Sequence, residues 1–174
     1  MDHRDHVRLL KKGIPEPGGF WTDFGSGRGT FTLALAELLG PTATIYSVDR
    51  DGDALRRQEK QVRTQYPQIS VHTLQADFTE PLNIPALDGL VVANVLHFLR
   101  EKEKTIKLLK GYLLPGGRFL VVEYNSDQGN RWVPFPFTYQ TWTKLAVQAG
   151  FAHTELLETV PSSFMGEIFA AVSW

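Results

Sequence analysis

The chain has 174 residues, 43% of them hydrophobic, which suits one domain with one sizeable core. Its 18 Lys and Arg residues nearly balance 19 Asp and Glu residues, and this near-neutral charge argues against nucleic acid as a partner. The lack of cysteine excludes disulfides, thiolate metal sites and cysteine nucleophiles. The N-terminus has no signal-peptide core and no apolar run could span a membrane, so we expect a cytoplasmic protein without a membrane partner.

Short apolar runs alternate with amphipathic stretches, a pattern typical of a doubly wound α/β domain. The predicted strands cover residues 20–24, 43–49, 69–75, 89–93 and 118–123, with a closing pair at 153–160 and 167–174. Four helices are predicted in this part of the chain. The first follows the glycine-rich turn and ends at Gly40, and the second begins at a cap at Asp51 or Asp53 and ends at Pro67. The other two cover residues 101–114 and 139–149. Prolines make residues 78–86 a loop or a single helical turn. We expect one domain over 1–174, with an N-terminal helix and linker in 1–19 and the core in 20–174.

A glycine-rich turn, Asp23-Phe24-Gly25-Ser26-Gly27-Arg28-Gly29, joins the first strand to the next helix. Such a turn lets the backbone approach a ligand, although alone it equally fits a purely structural connection. Asp49 ends the second strand, where a carboxylate can reach ribose hydroxyls. Asp77 and Phe78 follow the third strand, where they can accept from an adenine amino group and cover its ring, and Asn94 ends the fourth. These positions predict a nucleoside site at the carboxyl ends of the strands.

From about residue 20 to its C-terminus the chain resembles the class I S-adenosylmethionine-dependent methyltransferases. The acid and the three glycines of the first motif match Asp23, Gly25, Gly27 and Gly29, and runs 113–118 and 148–151 are similar to the family's approaches to strands five and six. The resemblance implies a seven-stranded, mostly parallel sheet with helices on both faces and an antiparallel last strand. The residues predicted to hold the donor S-adenosylmethionine are Asp23, Gly25, Ser26, Gly27, Gly29, Asp49, Arg50, Asp77, Phe78 and Asn94.

A nicotinamide dinucleotide is the alternative ligand, because it also uses a glycine turn and an acid for its ribose. The dinucleotide motif needs a third glycine where this chain has Thr30. Asp23 would also place a carboxylate near a pyrophosphate, whereas the ammonium group of a methionine moiety would be attracted to it. Both features favour the methyl donor.

Methyl transfer from a sulfonium is an in-line displacement that needs orientation and exclusion of water more than reactive side chains. An acceptor that must lose a proton also needs a base, and His97, three residues after Asn94, is the candidate catalytic residue. The alternative is a structural histidine, since residues 95–99 are largely apolar.

The segment from Tyr124 to Tyr139 follows strand five at the same rim and is the predicted acceptor wall, with Tyr124, Arg131, Trp132 and Tyr139 as substrate-binding residues. Its aromatics could instead only cover the end of the sheet. No metal is predicted; the alternative is a divalent cation held by oxygens of Asn94, Glu123, Asn125 and Asp127.

These interpretations predict methyl transfer from S-adenosylmethionine to a small-molecule acceptor, with S-adenosylhomocysteine as the other product. Two alternatives remain open at this point: methylation of a macromolecule, protein or RNA, and a non-catalytic module that binds the donor. Monomer and homodimer are both compatible with the sequence.

Overall fold

The computed structural model describes residues 1–174. The strands are β1 (Gly19–Phe24), β2 (Ala43–Asp49), β3 (Ser70–Gln75), β4 (Leu87–Ala93), β5 (Leu113–Tyr124), β6 (Thr154–Ser162) and β7 (Gly166–Ser173). The helices are α1 (His3–Lys11), α2 (Thr30–Leu39), α3 (Gly52–Gln65), α4 (Glu103–Lys110) and α5 (Tyr139–Gln148), with a 3₁₀ turn at Leu96–Phe98. Residues 78–86 contain turns and loop but no helix, in line with the two prolines.

All seven strands form one sheet in the order β3-β2-β1-β4-β5-β7-β6. The pairings among β1 to β5 are parallel, while β7 runs antiparallel to both β5 and β6. The strand order reverses at β1, which lies between β2 and β4, so the ends of β1 and β4 frame the crevice at which such sheets bind ligands. The predicted doubly wound sheet with an antiparallel last strand is confirmed.

Two boundaries around β5 differ from the prediction. Helix α4 is shorter than the predicted 101–114, because Leu113 pairs with Leu87 as the first residue of β5. The register then shifts before Gly89 pairs with Arg118, which is where the prediction began the strand. The run Pro115-Gly116-Gly117 is therefore an irregularity inside β5 and not the turn that precedes it.

Alternating residues of the central strands fill two cores, one on each face of the sheet. In β5, Leu120 and Val122 join the core that α1 and α2 cover, whereas Phe119 and Val121 join the core under α4 and α5. Helix α3 lies beside α2 against β2 and β3. Helix α1 packs on α2, β6 and β7 and buries two leucines, so it covers a face of the sheet and not the carboxyl edge.

Candidate active site

The glycine turn is anchored on the end of β2. The backbone nitrogens of Gly25 and Ser26 donate to the carbonyl oxygen of Val48 at 2.8 and 3.1 Å, and the nitrogen of Gly27 donates to a carboxylate oxygen of Asp49 at 2.7 Å. The three motif glycines have left-handed φ angles between 52° and 80°. Asp49 therefore shapes the turn as well as facing the crevice.

Gly27 and Gly29 are required for different reasons. A Cβ atom added to Gly27 would meet no atom within 4 Å, so a side chain there would occupy the space above the turn that is available to a ligand. A Cβ atom at Gly29 would instead lie 2.6 Å from Cδ of Gln58, which is buried. Gly27 thus leaves room for a ligand, and Gly29 allows α2 and α3 to pack.

A chain of buried polar side chains lies beneath the turn. Thr32 donates to the Asp23 carboxylate at 2.6 Å, Gln58 donates to the hydroxyls of Thr32 and Ser47, and Ser47 donates to Ser26 at 2.7 Å. Asp23 is only 1% exposed, and this burial raises its pKa to about 7 despite the bond from Thr32. Asp23 therefore lies under the turn, and its predicted contact with a ligand ammonium stays a prediction.

A cavity of about 190 Å³ opens at the carboxyl edge beside the turn. Its lining consists of Gly25, Asp49, Arg50, Phe78, Thr79, Val95, Phe98 and Leu99. A carboxylate on one side and aromatic and aliphatic groups on the other match a nucleoside, which has hydroxyls at one end and a flat apolar base at the other. The structure thus brings Gly25, Asp49, Arg50 and Phe78 together as predicted.

Asp77 lies at the rim next to this cavity. Burial acts to raise its pKa, but hydrogen bonds from Thr79 and the ion pair with Arg50 outweigh it, so the pKa is below its usual value. Arg50 therefore ties the end of β2 to the loop after β3. The ion pair occupies part of the carboxylate that the sequence assigned to the adenine amino group.

Asn94 has an unusual environment for the residue that ends a strand. Its φ angle of 53° is in the left-handed region, which asparagine tolerates better than most residues. Its side-chain oxygen Oδ1 is buried and has no hydrogen-bond partner. Because an unpaired buried acceptor is costly, this oxygen fits a donor group supplied by a ligand.

His97 forms a buried pair with Glu123, the last but one residue of β5. The ring nitrogen Nδ1 lies 2.8 Å from Glu123 Oε2, and the backbone nitrogen of His97 donates to Oε1 at 3.2 Å. From the sequence, Glu123 was named only as an alternative metal ligand, and its pairing with His97 was not predicted. An acidic residue at the end of the apolar run 119–122 was the available signal, because a charge in a buried strand needs a partner.

The predicted acceptor wall is only partly assembled. The ring of Tyr124 lies 6.0 Å from that of His97, but Trp132 is 70% exposed with the guanidinium of Arg131 5.8 Å from its ring, and Tyr139 packs on Phe169. Two aromatic residues missed by the sequence analysis lie at the rim instead. Phe98 lines the cavity. Phe164 lies in the turn between β6 and β7, and the centre of its ring is 5.9 Å from that of Tyr124.

The oxygens of the metal alternative are largely committed to protein contacts. Glu123 pairs with His97, and Asn125 accepts from the backbone of Tyr139 at 3.0 Å. Asp127 accepts from the backbone and hydroxyl of Thr138, both at 3.1 Å. No group of three or more histidine or acidic side chains is placed to hold a metal ion.

Comparison with known proteins identifies the family to which the chain belongs. A family model described as a methyltransferase domain matches residues 18–161, so the chain belongs to that family. The ubiquinone/menaquinone biosynthesis C-methyltransferase of Pasteurella multocida is 29% identical over 105 residues, 59% of this chain and 39% of the relative. Its counterpart in Ectopseudomonas mendocina is 30% identical over 116 residues, 66% of this chain and 44% of the relative. The chain spans less than half the length of these relatives.

Solved structures share the fold. A SAM-dependent methyltransferase from Aquifex aeolicus superposes with a TM-score of 0.76 and 18% identity, covering 97% of this chain and 88% of that one. The 1,6-didemethyltoxoflavin-N1-methyltransferase of Burkholderia thailandensis was solved with 1,6-didemethyltoxoflavin and S-adenosylhomocysteine. It superposes with a TM-score of 0.75 and 18% identity, covering 98% of this chain and 77% of that one. The predictions of a class I methyltransferase enzyme with S-adenosylmethionine as cofactor are confirmed. None of the helices has the length and apolar character needed to cross a membrane.

Proposed function

We propose that the protein transfers a methyl group from S-adenosylmethionine to a small-molecule acceptor by in-line displacement. The observation that carries this proposal is the cavity at the strand reversal, with the Asp49 carboxylate on one wall and the unpaired Asn94 oxygen at the end of β4. When bound, the donor supplies an electrophilic methyl group on a sulfonium. The protein's task is to hold donor and acceptor in line and to exclude water.

Each part of the crevice suits a different part of the donor. Asp49 can accept from ribose hydroxyls while it holds Gly27, and Phe78 offers an apolar surface to the base. The open space at Gly27 suits the methionine end, and Asn94 Oδ1 can accept from an ammonium or hydroxyl group. Asp23 and Ser26 support the turn from below.

A small-molecule acceptor is supported by the rim of the site and by the relatives. The rim presents aromatic side chains, Phe98 and Phe164 being 57% and 51% exposed, which suit an apolar or aromatic acceptor. The named relatives are a ubiquinone/menaquinone biosynthesis C-methyltransferase and a 1,6-didemethyltoxoflavin-N1-methyltransferase, and both names refer to small molecules. The near-neutral net charge of -1 offers no general attraction to a polyanion.

The test is transfer of label from methyl-labelled S-adenosylmethionine into separate metabolite, protein and RNA extracts. Label in the metabolite fraction is expected, and mass spectrometry then identifies the acceptor. Label confined to protein or RNA would replace the proposal with a macromolecular methyltransferase. Micromolar donor binding without transfer to any fraction would indicate a binding module.

Replacing Gly27 with alanine tests the donor side of the site. The added methyl group enters open space above the turn, so we expect donor affinity to fall about tenfold or more, whereas stability falls only by the strain of a left-handed alanine, about 1–2 kcal/mol. Gly116→Ala is the matched control, because Gly116 also has a positive φ and open space but lies at the opposite edge of the sheet, where β4 and β5 begin. Calorimetric titration with S-adenosylhomocysteine should separate the two variants; equal affinities would contradict the assignment.

Asp49→Ala should weaken donor binding more strongly. It removes both the acceptor for ribose hydroxyls and the anchor of Gly27, and lost hydrogen bonds to a charged group predict an affinity about 10 to 100 times lower. Asp51→Ala, two residues away, removes only the N-cap of α3 and should cost about 1 kcal/mol of stability at unchanged affinity. If both variants bind S-adenosylhomocysteine like the wild type, Asp49 has no role in binding.

A further inference from the structure

The contacts between His97 and Glu123 define the state of the imidazole ring. The side chains are 4% and 0% exposed, and one carboxylate faces both the backbone nitrogen and Nδ1 of His97. A carboxylate in its ionised form can only accept hydrogen bonds, so with that form Nδ1 carries the hydrogen. In the neutral form of such a ring the lone pair is on Nε2.

The free nitrogen of this ring distinguishes the pair from a purely structural contact. Nε2 has no hydrogen-bond partner in the protein. This nitrogen is not fully buried, so it retains a path to solvent. A buried structural histidine normally has both nitrogens paired. The ring also packs at 4.2 Å on that of Phe98, which lines the cavity, and lies 6.0 Å from that of Tyr124.

The surroundings hold the pair in place from several elements. The backbone nitrogen of Phe135 donates to the carbonyl of His97 at 3.0 Å, which ties the loop between β5 and α5 to the backbone of His97. Burial lowers the pKa of Lys102, an effect that attraction to Glu123 partly offsets, and its ammonium donates to Leu99. Glu123 therefore acts electrostatically on a nearby cation as well as contacting the ring that it orients.

We propose that Glu123 is the positioning residue that keeps the proton of His97 on Nδ1, so that Nε2 can take the proton that the acceptor loses on methylation. This inference rests on the proposed function. The acceptor atom forms a bond to the methyl carbon as the carbon–sulfur bond breaks and its electron pair goes to sulfur. The proton of the acceptor moves to Nε2, and the resulting imidazolium pairs with the Glu123 carboxylate.

The decisive variant is Glu123→Gln, which keeps the shape of the side chain. Its oxygen can still accept from the backbone of His97, but its amide group would donate to Nδ1 and so favour the tautomer with the proton on Nε2. Long-range proton–nitrogen NMR spectra of ¹⁵N-histidine-labelled protein distinguish the two neutral tautomers from each other and from the imidazolium form. The signal of His97 among the five histidines is assigned by its loss in His97→Gln.

We expect the wild type to carry the hydrogen on Nδ1 and Glu123→Gln to carry it on Nε2. Label transfer into the fraction that the wild type methylates should fall about a hundredfold or more, the usual contribution of a general base, with affinity for S-adenosylhomocysteine within about threefold. Glu167→Gln is the control, because that carboxylate lies at the same rim but accepts from Asn125 and not from His97.

A wild-type proton on Nε2 would overturn the positioning role whether or not Glu123→Gln folds. Unchanged transfer by a folded Glu123→Gln would also overturn it. Failure of the proposed function has a different signature, since the wild type itself would then label no metabolite while its tautomer remains readable.

Discussion

Replacing Asp23 with asparagine is expected to remove a large pH dependence from the stability of the protein. The ordinary pKa of an aspartate side chain is 3.8, and burial raises the pKa of Asp23 to about 7 in the folded protein. A raised folded pKa means that the stability contributed by this group is fully present below about pH 4 and is lost as the pH rises to about 7. A shift of about 3 pKa units corresponds to roughly 4 kcal/mol.

Asparagine cannot ionise and can still accept from Thr32 through its oxygen. The unfolding free energy of the variant should therefore exceed that of the wild type at pH 8 by up to roughly 4 kcal/mol, with the two converging near pH 4. Denaturant titrations at several pH values measure the difference. Asp53→Asn, at an exposed carboxylate of α3, controls for the loss of one negative charge. Parallel wild-type and Asp23→Asn profiles would show that the buried carboxylate is accommodated without this cost.

The donor side of the site was predictable from the sequence because its geometry is local to strand ends. Once the apolar runs fix where β1, β2 and β4 end, parallel pairing brings Gly25, Asp49 and Asn94 to one edge of the sheet. The spacing of the glycines then fixes the kind of turn. No knowledge of distant contacts was needed for these positions.

The acceptor side depends on contacts that one sequence does not reveal. His97 and Glu123 are 26 residues apart, and each lies in an apolar run whose pattern is complete without the other. Phe164 reaches Tyr124 only because the final hairpin folds back along β5. Trp132 belongs to the same loop as buried residues, but the Asn130 side chain accepts from its backbone in a tight turn, and the ring is left exposed.

Asp23 shows the same limit at the donor motif itself. Its position before the first glycine was readable, but its burial depends on Thr32 and, beyond it, on Gln58. Gln58 is a polar residue on a helix with no motif to mark it. Only the packing of α3 against α2 lets Gln58 link strands β1 and β2 to the glycine-rich turn.

That link makes Gly29 the position at which the smallest substitution should cost most. Alanine there would be held at a φ of 80°, which costs about 1–2 kcal/mol, and its Cβ would clash with the buried side chain of Gln58. Gln58 cannot move away without losing its bonds to Thr32 and Ser47, each worth about 1 kcal/mol. We therefore expect Gly29→Ala to lower the free energy of unfolding by about 3–5 kcal/mol.

A double-mutant cycle with Gln58→Ala separates the clash from the backbone strain. Truncating Gln58 removes the clashing atoms, so the double variant should be about 2 kcal/mol more stable than the sum of the single effects predicts. Gly116→Ala, which has the same φ of 80° and no neighbour within 4 Å, should cost only the strain and give no coupling with Gln58→Ala. Additive effects at Gly29 and Gln58 in denaturant titrations would mean that the turn yields without disturbing α3. The third glycine would then be required for its backbone conformation alone.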